Sequence, residues 1–379
     1  MNMVKTLAVA SAFAALLAGT ALTSTAQAAT PAPGCKTMTH VELGVSVYVG
    51  WQPHYWADQV GLYKAEGAKR CLDIHVNEFT NYGPSIEAYT AGTVDALVIT
   101  NMDTMMSPVT SGLDSTVVIM GDYSDGNDAI LSKTATSIRQ LKGKPVHRAQ
   151  NTVTDYLIER ALNANGMRAS DIDLQNLDDS AHVSTFEDTG HNEVTTLGTW
   201  NPYTLELQKW TSPKVPHVNT LFTSHQIPGE IQDLLIVNTK KLQAHPEIGD
   251  AFASVWYKAM SVMQKNDQQA LGIMATTAGS SLADYTAQLK TTHMFYTPTE
   301  AITFENGTTQ FGGRNIMQIT EAMRDFCYER GLMGDGKSIA DKDEFGISFP
   351  NGTVLGNKKH VVFRFDASYM QKAADGKLN

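Results

Sequence analysis

The sequence predicts an α/β protein in two lobes with mostly parallel sheets, and three observations carry this. Apolar, β-branched runs alternate with amphipathic segments, the pattern of parallel strands joined by helices. The alternation begins again after residue 137, as a second block. Two polar segments rich in Gly, Pro and acids, Gly121–Asp128 and Ser224–Asp233, each stand beside apolar runs and read as crossovers between the lobes.

The 379 residues, 42% hydrophobic and 18% charged, suffice for about two ordinary domains. Lys5, the apolar run Leu7 to Leu22 and the small-residue site Ala26-Gln27-Ala28 form a secretory signal peptide over residues 1–28, cleaved near Ala28. No later run reaches the ~18 apolar residues of a membrane span. The expectation is therefore a soluble, exported chain. A formal charge of -10 without a basic cluster argues against nucleic acid or anionic lipid as partner. Cys35 and Cys71 each precede a strand pattern; if those strands are parallel neighbours, an oxidising compartment would let the sulfurs pair. Cys327 lies in a helical pattern and reads as core.

Val41 to Val49 reads as the first strand, ending at Gly50-Trp51-Gln52-Pro53, with a helix over 54–64. Leu72 to Phe79 is the second strand, followed by a turn at Tyr82-Gly83-Pro84, a short helix over 85–91 and a buried strand over 94–100 running into Asn101-Met102-Asp103. Strands at 116–120 and 129–131 flank the first crossover. The second block has a short helix over 137–144, a strand over 145–149, a helix capped by Thr152 or Thr154, a strand over 171–177, a helix over 181–186 and a strand over 194–199 ending at Trp200-Asn201-Pro202. After the second crossover come a strand at 234–237, helices at 246–264, 267–275, 282–290 and 311–330, and a hairpin tail around Asn351-Gly352, packed on the first lobe.

Ligands of such sheets gather where strands end at their carboxyl edges. Tyr48 to Trp51, Asn81, Tyr82, Asn101 and Asp103 share one such rim. No nucleophile elbow, zinc-protease helix or phosphate loop occurs, and the histidine spacing suggests no metal site. Asp122, Asp125 and Asp128 mimic a calcium loop, but its sixth and twelfth positions are Asn127 and Lys133 rather than Gly and Glu. Aromatic faces attract delocalised cations, and carboxylates hold planar N–H donors. Trp51 and Trp200 with Asp103, Asp122, Asp128 and Glu230 would favour a planar cation. Asp155 would offset the positive end of its helix, or simply stabilise that helix. Each acid could equally cap a turn.

Val47-Tyr-Val-Gly-Trp-Gln-Pro53, Tyr89-Thr-Ala-Gly-Thr-Val-Asp-Ala96, Leu141-Lys-Gly-Lys144, Thr199-Trp-Asn-Pro202 and His245-Pro-Glu-Ile248 resemble the periplasmic substrate-binding proteins of nitrate/sulfonate/taurine-type ABC transporters. Asn101-Met-Asp103, Gly121 to Asp128, Gln226-Ile-Pro-Gly-Glu-Ile231 and Gln288 to Tyr296 are similar to the branch associated with urea (guanidine) carboxylase. The resemblance implies a two-lobed type II binding fold with a central ligand cleft, with lobe one at 35–124 and 233–379 and lobe two at 125–232. It implies a monomer without cofactor or enzymatic activity, a small solute such as guanidine or urea, and a membrane permease as partner. The cysteine-rich motif of the related thiamine-pyrimidine synthases is not found. The candidate ligand set is Tyr48, Trp51, Tyr82, Asn101, Asp103, Asp122, Asp128, Asp155, Trp200 and Glu230. The alternatives are a small anion such as taurine, sulfonate or nitrate, for which only His147 and Arg148 offer charge, and an exported enzyme acting on an amide or amidine.

Overall fold

The computed structural model describes residues 34–190, 193–333 and 339–378. The signal peptide expected over 1–28 lies outside them. The strands are β1 (Thr39–Ser46), β2 (Leu72–Phe79), β3 (Ala96–Thr100), β4 (Ser115–Ser124), β5 (Ala129–Ser132), β6 (Pro145–Arg148), β7 (Asp173–Asn176), β8 (Thr196–Thr199), β9 (Asn219–Thr223), β10 (Gln232–Asn238), β11 (Thr292–Met294), β12 (Gly346–Ser348), β13 (Val354–Gly356) and β14 (Val361–Phe365).

They form two mixed sheets. A nine-stranded sheet runs β13-β12-β14-β4-β10-β3-β1-β2, with β11 also on β4; a five-stranded sheet runs β7-β6-β8-β5-β9. Pairings among β1, β2 and β3, and among β6, β7 and β8, are parallel, as helical crossovers require. The strands next to the crossovers run antiparallel to their neighbours: β10 against β3 and β4, and β5 against β8 and β9. The chain thus leaves the large sheet after Ser124, enters the small one at Ala129, and returns between Thr223 and Gln232.

These two crossings are sewn together. The Ser124 and Ser224 hydroxyls lie 2.7 Å apart, the Gly126 amide donates to Ser224 Oγ at 2.7 Å, and the Ser224 amide donates to the Asp128 carbonyl at 2.9 Å. The first crossover is shorter than the sequence suggests. β4 continues through Gly121-Asp122-Tyr123 to Ser124 because every residue of it is buried against β10 and β11.

Local sequence accounts for most elements. The helix Val153–Ala164 starts at Thr152, whose hydroxyl accepts from the Thr154 amide, and it buries Val153, Tyr156, Leu157, Ile158, Ala161 and Leu162 along one stripe. The helix expected over 54–64 is instead two, Gln52–Gln59 and Leu62–Lys69, broken at Gly61, whose φ of 76° suits glycine. β12 and β13 form the expected hairpin, and β14 docks it in parallel on β4. The expected sulfur pairing forms: Cys35 and Cys71 are disulfide-bonded, and Cys327 is buried. No helix among the described residues is long and apolar enough to cross a membrane.

Candidate functional site

Loops at the carboxyl ends of the parallel strands meet between the two sheets. β1 leads to Tyr48 and Trp51, β2 to Tyr82 at the start of the helix Tyr82–Thr90, and β3 to Thr100, which caps the helix Asn101–Thr104. From the small sheet, β6 leads to Thr152 and β8 to Trp200. Together with Asp128, Val153, Ile231 and Asp233 they enclose a cavity of about 30 Å³. One water needs ~10–15 Å³ on this measure, so the space suits a solute of a few heavy atoms.

The walls are aromatic. Ring centroids lie 5.2 Å apart for Tyr48 and Trp51, 5.4 Å for Trp51 and Tyr82, and 6.3 Å for Tyr82 and Trp200. Trp200 is backed by His182, edge-on at 5.5 Å, whose Nδ1 bonds Thr199 Oγ1 at 2.8 Å and whose Nε2 bonds the Leu177 carbonyl at 3.1 Å. Burial pushes His182 down to about 4, so it stays neutral and props the indole.

The polar groups of the walls are acids. Trp51 Nε1 donates to Asp233 Oδ1 at 3.1 Å, and Tyr82 Oη donates to Asp103 Oδ2 at 2.7 Å. Asp122 and Asp233 stand opposite each other on β4 and β10, and Tyr48 Oη reaches Asp122 Oδ1 at 3.4 Å. Asp122 fits only because residue 50 is glycine: a Cβ there would overlap Asp122 Oδ2 and lie 2.8 Å from the Tyr48 ring. Asn127 is the keystone. Its Nδ2 donates to Tyr48 Oη at 2.9 Å and Thr292 Oγ1 at 2.7 Å, while its Oδ1 accepts from Asn201 at 2.6 Å and Thr291 at 2.8 Å.

Burial disfavours charge on these carboxyls. It raises Asp103 to about 7 and Asp128 to about 6, and it raises Asp122 and Asp233 together, the Asp122 charge adding to the effect on Asp233. Oδ2 of Asp122 and Oδ1 of Asp103 are buried without a hydrogen-bond partner. No lysine or arginine is among the described residues lining the cavity. Outside it, Tyr82, Thr152 and Trp200 form the neck of a groove of about 720 Å³ lined by Glu87, Asp103, Asp178 and Asp179, and again no lysine or arginine is among the described residues that line it. In their ionised forms such carboxylates attract cations and repel anions.

Of the residues singled out from sequence, Tyr48, Trp51, Tyr82, Asp128 and Trp200 line the cavity, Asp122 stands behind Tyr48, and Asp103 lies behind Tyr82 on the groove side. Three face elsewhere. Asn101 ties the second crossover, donating to the Glu230 carbonyl at 3.0 Å and accepting from the Gln232 amide. Glu230 is saturated by Tyr156 Oη at 2.5 Å, by two bonds from Arg160 at 2.8 and 2.9 Å, and by Arg314. Asp155 pairs with Arg148 Nε at 2.8 Å and accepts from the Asn151 amide, which also removes Arg148 as a free cation. Asp125, third of the calcium-like acids, pairs with His225 at 2.7 Å. Tyr123 stacks on His293 at 4.4 Å inside the first lobe. Sequence reasoning missed Asp233, Thr100, Thr152, Val153 and Ile231. Asp233 was signalled by being a charge at the edge of a buried strand.

Comparison with solved structures shows the same fold. The alkanesulfonate-binding protein SsuA of Xanthomonas axonopodis pv. citri, bound to MOPS, superimposes with a TM-score of 0.61 at 14% identity, over 81% of this chain and 98% of that one. The periplasmic aliphatic sulphonate binding protein SsuA of Escherichia coli gives 0.61 at 16% identity, over 79% and 94%. The periplasmic nitrate-binding protein NrtA of Synechocystis PCC 6803 gives 0.54 at 13%, over 89% and 98%. Among curated sequences, a binding protein of Brucella abortus (strain 2308) is 26% identical over 165 residues, 42% of this chain and 49% of that one. This chain therefore spans about half the length of the curated relatives it matches. The NMT1/THI5-like family model matches residues 50–270, more than half of the sequence, and the chain belongs to that family.

Proposed function

We propose that the protein is the extracytoplasmic solute-binding component of an ABC importer, and that its solute is a small planar cation, guanidinium, or its neutral analogue urea. The single observation behind the solute is the cavity itself: aromatic faces with Asp128 and Asp233, no cationic side chain among the described residues that line it, and an acidic groove leading in. Aromatic faces and carboxylates are the complement of a delocalised cation with coplanar N–H donors. The cavity volume supports a ligand of this size over a longer sulfonate. The resemblance to the urea (guanidine) carboxylase branch supports the same solute. The fold neighbours support the transport role, export to the periplasm and a permease partner; that the chain acts as a monomer is part of the proposal.

Calorimetry and thermal shift with guanidinium, urea, taurine and nitrate test this. Guanidinium should bind best; binding of taurine or nitrate alone would sink the cation. A small anion is the second reading. It is favoured by the start of the helix Val153–Ala164, whose Thr152 and Val153 line the cavity, and by the sulfonate and nitrate named for the fold neighbours. Ammonia released from guanidinium or urea would instead favour an enzyme, with a buried aspartate as its base.

A further inference from the structure

β1 and β2 pair in parallel with His40 opposite Asp73 and Glu42 opposite His75. Side chains alternate along a strand, so these four share one face. Val41, Leu43, Leu72 and Ile74 are buried on the other face, whereas His40 is exposed and Glu42, Asp73 and His75 are half-buried. His75 Nε2 lies 3.1 Å, and His40 Nδ1 3.8 Å, from Asp73 Oδ2. One ligand atom from each of His40, Asp73 and His75 falls within 4.8 Å of the others. Donors ~2.1 Å from a tetrahedral ion sit ~3.4 Å apart, so small side-chain rotations close the set.

A second layer stands behind them. The Glu42 carboxylate bonds the other nitrogen of His40, and the Asn77 amide in turn donates to Glu42. A carboxylate on the far nitrogen is what orients a metal-bound imidazole and fixes which nitrogen faces the ion.

We propose that His40 Nδ1, His75 Nε2 and an Asp73 oxygen form a site for a borderline divalent transition metal such as zinc, with water completing the shell. Two imidazoles and one carboxylate suit zinc, nickel or copper rather than calcium or magnesium. The ligands lie at the amino ends of the strands whose carboxyl ends lead to Tyr48 and Tyr82, roughly 20 Å of strand away from the solute cavity. A bound ion would clamp the edge strand β2 to β1 beside the Cys35–Cys71 bridge. Histidine spacing gave no hint of this because strand register, not nearness in sequence, assembles the ligands.

Zinc titration of the chelator-stripped full chain by calorimetry at pH 7.5 tests the site. One zinc per chain is expected, with affinity reduced at least ~10-fold by His75→Ala and by Asp73→Asn, and ~10-fold by Glu42→Gln. The half-exposed positions should leave the metal-free melting temperature and guanidinium binding as in the parent protein. Absence of stoichiometric zinc binding, or stoichiometric binding that survives the double substitution His40→Ala/His75→Ala, would overturn it.

Discussion

Replacing Asp233 with asparagine separates the two consequences of burying an acid pair. Asp233 and Asp122 face each other across adjacent antiparallel strands, both buried and both pushed toward the protonated form. Like charges directly opposite in a sheet are unfavourable. Two full charges ~4 Å apart would repel by about 4 kcal/mol at an effective dielectric of ~20, and protonation of one of them removes much of this. Asparagine keeps the acceptor for Trp51 Nε1 and can donate to the unpartnered Asp122 Oδ2. The solute-free variant should therefore gain about 1–2 kcal/mol, read as a melting temperature roughly 1–3 °C higher. Guanidinium would lose one charge-assisted hydrogen bond of about 1.5–3 kcal/mol, a 10- to 150-fold weaker Kd by calorimetry. Opposite signs for stability and affinity mark a group held for its ligand. A lower melting temperature together with unchanged guanidinium affinity would refute the reasoning.

Five further outcomes are expected. With Asp128 near 6 and Asp103 near 7, a bound cation favours their ionised forms, so guanidinium uptake should release protons and weaken as pH falls through 7 to 6; calorimetry in two buffers reads this, and an anion would take protons up. Because these folded-state values lie above the unfolded ~3.9, their contribution to stability is complete below about pH 4 and is lost as pH rises through about 7, so the solute-free protein should melt lower at pH 8 than at pH 5. Trp200→Ala should weaken guanidinium by about 1–2 kcal/mol, or 5- to 30-fold, in a fluorescence or calorimetric titration. Gly50→Ala should displace Asp122 and Tyr48 and reduce affinity, and Cys35→Ser/Cys71→Ser, which opens a loop spanning a separation of 36 residues, should cost about 3–4 kcal/mol in a melt.

The alternation of strands and helices was legible where patterns are strong. Leu72 to Asn77 alternates apolar and polar residues and β2 takes the expected bounds, Leu72–Phe79, while the carboxyl-edge rule points to Tyr48, Trp51, Tyr82 and Trp200, which line the cavity. The acids were harder, because a carboxylate in a turn looks the same whether it caps, pairs or faces a ligand. Glu230 and Asp155 have arginine partners that lie far off in sequence or on another element, and no spacing rule finds those. Asp233 and Asp122 are over a hundred residues apart; only the β4–β10 register sets them face to face. Short elements such as β9, β11 and the helix Pro298–Glu305 lack enough periods to announce themselves and are fixed by packing.

The cross-stitched connections between the lobes have a mechanical consequence. Two separate ribbons would let one body twist and slide as well as swing. Ribbons joined by serine hydroxyls and backbone amides would swing together about the line they share more easily than slide past one another. Sliding one ribbon past the other would break those bonds, at about 0.5–1.5 kcal/mol each. Loading and unloading of the solute would therefore retrace one path, with Asp128 and Ile231 riding on the axle while the aromatic walls swing apart.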